Sequence, residues 1–327
     1  MSKFKSIGLR ALPFIVSYVV VLALMNLGVI NDYIFSIIVT ICVNIILAAS
    51  LNLVTGFTGQ FSLGHAGFMA VGAYTCALIC IYLGPVIGDV PAFLLGMLAG
   101  ATAAALIGAL VGLPTLRLRG DYLAIATLGM AEIIRVIMLN LPITNGAAGL
   151  SGIPQVVDWN WAFLFTALTL IVLWNYIRSS QGRRAIAVRE DEIAAEAIGV
   201  NTTATKVQAF TIGAFFAGIG GGLYASYFFL IKPDQFGFLR SIDILVIVVL
   251  GGLGSLSGTV IAAILLAIVS MLLAQFSDIR MIIYSLVLVL IMIFRPGGLM
   301  GSKEITDTVF GKVFRRGRSD KTEEAAA

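Results

Sequence analysis

The chain has 327 residues, of which 59% are hydrophobic and 12% charged. Soluble proteins carry about 25% charged residues, so this composition excludes a water-soluble domain and implies a chain that crosses the membrane many times. The net charge of +4 is not a nucleic-acid signal, because the positive residues gather in a few loops and the two tails, where they set membrane orientation.

A spanning helix needs about 20 apolar residues. Apolar blocks fall at 11–30, 33–54, 65–83, 90–113, 121–141, 159–177, 207–230, 241–254, 257–275 and 280–294. The first follows Lys3, Lys5 and Arg10; it is longer than a signal-peptide core and lacks a clear small-residue cleavage site, so it reads as a retained span. Arg117 and Arg119, then Arg178, Arg183, Arg184, Arg189 and Lys206, then Lys303, Lys312, Arg315, Arg316 and Arg318 mark cytoplasmic segments. The links 31–32, 84–89 and 142–158 hold no Lys or Arg. Alternation then predicts both termini inside a bacterial inner membrane. The expected fold is an all-α polytopic helical bundle of about ten transmembrane spans. Two features leave eight open: the link 231–240, expected outside, holds Lys232 and Arg240, and the tract 242–274 is too long for one span and short for two. The expected organisation is a cytoplasmic segment 1–10, a transmembrane domain 11–301 with a cytoplasmic loop 178–206, and a polar cytoplasmic tail 302–327.

The second and third blocks are separated by VTGFTGQFSLGHAG, 54–67, where Gly56, Gly59, Gly64 and Gly67 bracket a polar stretch with the only histidine. Irregular backbone at membrane depth is tolerated only where protein buries it or where it lines a wet cavity, and broken helices often build transporter sites. A short cytoplasmic turn is the plainer reading. His65 fits a hydrogen-bonded helix start better than a proton relay. Cys42, Cys76 and Cys80 read as small core hydrophobes. In the fourth block Ala92, Gly96, Gly100, Ala104, Gly108 and Gly112 recur every fourth residue, a spacing that lets helix backbones approach closely; Gly218 and Gly222 repeat the device. In the fifth block Glu132 and Arg135 share a helical face. Intramembrane charges are functional candidates by default; a structural ion pair, or Arg135 snorkelling to the outer face, are the alternatives.

Within the loop 178–206, the segment Glu190–Ile198 reads as a short helix. Glu190, Asp191 and Glu192 enrich its first turn, Ile193, Ala194, Ala197 and Ile198 form a small apolar face, and Gly199 stops it. Such a helix needs a partner, or lies on the membrane or on the bundle's own loops. A second glycine break, Gly251-Gly252-Leu253-Gly254-Ser255-Leu256-Ser257-Gly258, interrupts the tract 242–274. Catalysis has no support. There is no phosphate loop, one histidine cannot make a zinc-protease motif, and Ser62, between Phe61 and Leu63, fails the nucleophile-elbow pattern. No cofactor or metal is expected.

Several runs together carry a resemblance: LNLVTGFTGQFSLGHAGFMAVGAY (51–74), LRLRGDYLAIATLGMAEIIR (116–135), TNGAAGLSGIP (144–154), GRRAIAVREDEIAAEAIGVN (182–201), VVLGGLGSLSGTVIAA (248–263) and RPGGLMG (295–301). In this order, over about residues 40 to 301, they resemble the M-type permease subunits of branched-chain amino-acid ABC importers. The resemblance implies an ABC-importer type of permease with broken helices. It implies that 190–198 is an EAA-type coupling helix for two cytoplasmic ABC ATPase subunits, although Glu196-Ala197-Ile198 stands where a full Glu-Ala-Ala triplet would. It further implies a second homologous permease subunit and a periplasmic amino-acid-binding protein docking near 142–158. Transport is then by alternating access, with Gly56, Thr58, Gly59, Gln60, Ser62 and His65 from the first break, and Gly251, Gly254, Ser255 and Ser257 from the second, bordering the pathway. Rival readings are an ion-gradient-driven transporter or channel working alone through Glu132 or His65, a membrane scaffold that only anchors the ATPases, and an ABC permease for urea or short amides.

Overall fold

A computed structural model describes residues 16–272 apart from 26, 29, 117 and 119, together with 286, 289 and 297–301. The segment 1–10, the tail 302–327, Arg117, Arg119 and nearly all of the block 280–294 lie outside the described residues. The architecture is a helical bundle. Its helices are α1 (Val16–Met25), α2 (Asp32–Asn52), α3 (His65–Ile87), α4 (Asp89–Thr115), α5 (Asp121–Asn140), α6 (Trp159–Arg178), α7 (Ser180–Glu190), α8 (Glu192–Ala197), α9 (Thr202–Phe228), α10 (Phe238–Gly251) and α11 (Leu256–Leu272).

The helices begin where the sequence supplies caps. The Asn31 side chain accepts from the Ile34 amide at the start of α2, Ser179 from Gly182 at α7, and Asn201 from Ala204 at α9. Each satisfies a donor that the first turn leaves without an intrahelical partner. Among the described residues, six helices are long and apolar enough to cross a membrane: α2 with the turn that follows it, α3, α4, α5, α6 and α9. The tract 242–274 divides into α10, of 14 residues, and α11, of 17. At 1.5 Å per residue these reach about 21 and 26 Å, short of a full hydrocarbon crossing of about 30 Å.

Two short strands fix the ends of the bundle. Strand β1 (Leu150–Ser151) pairs antiparallel with β2 (Leu230–Ile231), Leu150 opposite Ile231 and Ser151 opposite Leu230. The links after α5 and after α9 therefore lie at one end. Helices α6 and α9 run from there to α7 and α8 at the other end. The segment holding Lys232 and Arg240 thus joins 142–158, and Arg240 turns inward, its Nη2 donating to Asn44 Oδ1 at 2.8 Å.

The centre is a block of α3, α4 and α9 in backbone contact. A Cβ on Gly72 would lie 2.3 Å from the Gly218 Cα, one on Gly100 2.7 Å from the Gly72 carbonyl oxygen, and one on Gly218 2.9 Å from the Ala101 Cα. Within lipid, apolar burial does not drive helices together, and such close approach supplies the attraction instead. The six small residues of α4 that recur every fourth position, Ala92 to Gly112, are all buried on this face. Cys42, Cys76 and Cys80 are buried free thiols.

Candidate functional site

The two glycine breaks, some 200 residues apart in sequence, meet at one buried junction. Helix α2 ends at Asn52, opens into a wide π-helical turn, Leu53–Phe57, and continues as irregular chain to His65. Helix α10 ends at Gly251, and α11 restarts at Leu256. Asn52 is fully buried and bolts the breaks together. Its Oδ1 accepts from the Gly254 amide at 2.9 Å. Its Nδ2 donates to the Ser255 carbonyl at 2.9 Å and the Thr259 hydroxyl at 2.7 Å, with a longer contact of 3.4 Å to the Gly252 carbonyl. A primary amide offers two donors and an acceptor on one planar group, which matches this mixture of backbone partners.

Each break satisfies part of its own freed backbone. Ser255 caps α11, its Oγ accepting from the Gly258 amide at 3.1 Å, and lies 3.3 Å from Ser257 Oγ. Gly251 and Gly258 pack face to face, a Cβ on Gly258 falling 2.1 Å from the Gly251 carbonyl oxygen. The 297–301 segment closes over this end, the Leu299 amide donating to the Leu250 carbonyl at 2.8 Å. In the first break, Thr58 Oγ1 donates to the Val54 carbonyl at 2.5 Å, and Ser62 Oγ accepts from the Gly64 amide at 3.4 Å. The irregular chain and the first turn of α3 are stitched to neighbouring spans: the Leu63 amide donates to Thr127 Oγ1 of α5 at 3.1 Å, and the Ala66 amide to Ser241 Oγ of α10 at 3.2 Å. His65 starts α3, buried, with Nε2 2.7 Å from Ser50 Oγ. Ser50 Oγ also donates to the Leu47 carbonyl at 2.9 Å, so the imidazole N–H is the natural donor to it. Gln60 is buried, and neither end of its amide has a hydrogen-bond partner among the described residues.

Glu132 and Arg135 lie away from this junction. Arg135 Nε donates to Glu132 Oε2 at 2.7 Å and its Nη1 to Asp234 Oδ1 at 3.1 Å. Asp234 belongs to the short turn Pro233–Phe236 before α10, so the arginine ties α5 to the β1–β2 end of the bundle.

The segment 178–206 differs from its expected form. It holds two helices, and Glu190 closes α7 instead of opening the next helix. Asp191 is the cap of α8, its carboxylate accepting from the Ile193 and Ala194 amides at 2.9 and 3.0 Å. An extended backbone at Asp191, φ −156° and ψ 111°, forces this division. At the far end the Gly199 amide donates to the Glu196 carbonyl and the Val200 amide to that of Ala195. With Gly199 at φ +86°, this is the Schellman stop its glycine announced. Helix α8 is tied to α9 by Lys206 to Glu192, 2.6 Å, and by Thr202 to Glu196, 2.7 Å. Ile193 and Ile198 stand 75% and 77% exposed, with Ala194 and Ala197 beside them, also exposed.

Arg189, read from sequence only as a marker of orientation, connects the two regions. From the last turn of α7 its Nη1 donates to the Gly56 carbonyl at 2.8 Å. Asn52, Ser50, Thr127, Ser241 and Thr259 were likewise not singled out by sequence. A lone amide at the end of an apolar helix, directly before a glycine break, was the one local signal for Asn52.

Residues 33–295 match the family described as branched-chain amino acid transport system / permease component. The chain belongs to that family. This permease is 38% identical to the high-affinity branched-chain amino acid transport system permease protein LivM of Salmonella typhimurium and 37% identical to that of Escherichia coli K12. Each alignment covers 78% of this chain and 67% of the relative. It is 30% identical to the permease protein LivH of Escherichia coli K12 over 46% of this chain and 48% of that relative. No solved structure matches the chain. The permease is a multi-pass protein of the inner membrane, as its family and its apolar helices indicate.

Proposed function

We propose that this permease forms part of the membrane pathway of an ATP-driven importer of branched-chain amino acids. The observation that carries the reading is the junction at Asn52: two interrupted helices meet there, and Arg189 links it to a segment whose apolar helix face is exposed. In this reading α8, with Glu190, Asp191 and Gly199 at its margins, docks Ile193, Ala194, Ala197 and Ile198 into one of two cytoplasmic ATPase subunits. Burying an Ile side chain contributes about 1.5–3 kcal/mol, so Ile193 and Ile198 supply much of the contact. The α7–α8 end and both termini are then cytoplasmic, within the organisation 1–10, 11–301 and 302–327.

Nucleotide closure displaces α8 and rocks the spans between inward-open and outward-open states. The ATPases drive this only through contacts that differ between the two states. Gly56, Thr58, Gly59, Gln60, Ser62, His65, Gly251, Gly254, Ser255 and Ser257 border the path. The unpartnered Gln60 amide is the group best suited to hydrogen-bond a passing solute, because a buried amide left unsatisfied costs about 1–3 kcal/mol. Glu132 and Arg135 act as a structural ion pair. A second, homologous permease completes the path, a reading supported by the relationship to LivH, and a periplasmic binding protein delivers an aliphatic zwitterion near 142–158.

The test is reconstitution with those partners in proteoliposomes. ATP-dependent uptake of labelled leucine, isoleucine or valine is expected, undiminished by excess urea or short amides. Transport by the chain alone that follows an imposed ion gradient would refute the proposal.

A further inference from the structure

Arg189 stands where three parts of the chain meet. It is the penultimate residue of α7, two before the cap of α8. Its Nη1 donates to Gly56 in the first break and lies 3.0 Å from where a Cβ on Gly254, in the second break, would sit. Its Cγ lies 3.0 Å from the same position on Gly59. One side chain thus covers both breaks, and hydrogen at 59 and 254 is what admits it so closely. On its outer side Glu190 accepts from Nε at 3.0 Å and pairs with Nη2. The planar guanidinium is held from both sides, a geometry suited to a fixed fork of donors.

Two routes lead from α8 into the bundle. One runs through Glu192–Lys206 and Glu196–Thr202 into α9, which is locked to α3 and α4 by glycine contacts and moves with them. The other runs back through Asp191 and Arg189 and ends on the junction itself. We infer that Arg189 is a positioning residue that carries the displacement of α8 to the point where the two broken helices meet. Drawing α7 away pulls on the Gly56 carbonyl through the guanidinium, and the side chain packed against Gly59 and Gly254 takes both breaks with it. Asn52 makes both breaks respond together. The inference rests on the ATP-driven reading given above.

The test uses the full chain assembled with its ATPases, second permease and binding protein in proteoliposomes. A wild-type complex without ATP-dependent uptake overturns that reading, and this inference with it. If the wild type transports, Arg189→Gln is expected to retain its ATPase subunits and basal ATP hydrolysis. Uptake should fall about tenfold, the scale of one lost hydrogen bond to a charged group, so that ATP consumed per solute rises by the same factor. Arg189→Lys, which keeps the charge and a donor, should recover part of the coupling. Unchanged uptake in Arg189→Gln overturns the inference. So does a parallel loss of uptake, hydrolysis and ATPase retention, which marks a merely structural role.

A second measurement leaves Arg189 in place. Spin labels go on Arg184→Cys and Leu253→Cys, with Leu106→Cys on α4 as reference; the three native cysteines are buried. Nucleotide binding should change the 184–106 separation and leave 184–253 unchanged. A change in 184–253 as large as that in 184–106 overturns the inference.

Discussion

Replacing Asn52 by leucine keeps the side-chain volume and deletes the bolt between the breaks. The structure says which partners suffer. The Ser255 carbonyl keeps the Thr259 hydroxyl at 2.8 Å, and the Gly252 carbonyl keeps the Ser255 amide at 3.1 Å. The Gly254 amide, bound to Oδ1 at 2.9 Å, has no other acceptor among the described residues and is left buried. That orphaned donor costs about 1–3 kcal/mol, and the two short bonds from Nδ2 about 1 kcal/mol each, so local opening becomes easier by at least about 3 kcal/mol. At 1.36 kcal/mol per decade this is about a hundredfold. Hydrogen exchange of the purified protein reads it directly. Amides in 53–58 and 252–259 should exchange about a hundredfold faster if opening limits them, while those of α4 stay unchanged. Asn52→Asp should be worse than leucine: it keeps an acceptor for Gly254 but sets a carboxylate against the carbonyls of Gly252 and Ser255, which can only repel it. Unaltered exchange in either break, or equal acceleration in α4, would refute the reasoning.

Two further substitutions probe the fixed parts. Gly72→Val places a side chain where the Gly218 Cα is 2.3 Å away. Backbone cannot step aside, so α3 and α9 must separate, at a cost of about 3 kcal/mol or more; little monodisperse protein should survive detergent extraction. Gly129→Ala, on α5 with nothing within 4 Å, should extract like the wild type. Asp191→Ala removes the acceptor for the Ile193 and Ala194 amides and should cost α8 about 1 kcal/mol. In titrations of the proposed ATPase partners against the permease in nanodiscs, that appears as about fivefold weaker binding, and Asp191→Ser should restore it.

The helices were legible because hydrophobic blocks and glycine breaks are local records. Blocks from 33–54 to 241–254, and the described part of 257–275, became helices, and the ambiguity at 242–274 was a true one, since up to Leu272 it holds two short helices about a break. The fourfold spacing in α4 named its buried face. The division at Asp191 was not legible. Three acidic residues in a row look like one helix start, and only the extended backbone shows that the middle one caps. Helix α7 escaped because its apolar residues, Ala185 to Val188, fall in one run without helical spacing; Ala185 and Val188 are its buried pair besides Gly182. Asn52 and Arg189 escaped for a different reason. Their partners lie about 200 and 133 residues away, and no local pattern records a partner at that distance. Arg240 illustrates the converse: a charge that argued against the outer placement of its link is accommodated by Asn44 on α2.

The bundle holds itself together in two ways that respond differently to movement. Helices α3, α4 and α9 touch backbone to backbone, and dispersion falls steeply once a gap of half an ångström to one ångström opens. Sliding one of these helices past another would open gaps between backbones now in contact, so sliding is disfavoured. The junction is held instead by hydrogen bonds of Asn52 and Arg189, most of them to main-chain groups. Carbonyls recur along every turn of a helix end, so a shifted donor can meet another acceptor within a few ångströms. Packed interfaces switch between discrete states and do not deform continuously. A permease that alternates therefore needs its exchangeable contacts at the meeting point of the breaks and its irreplaceable ones elsewhere. The glycines of α4 and the lone amide at the end of α2 divide the molecule in that way.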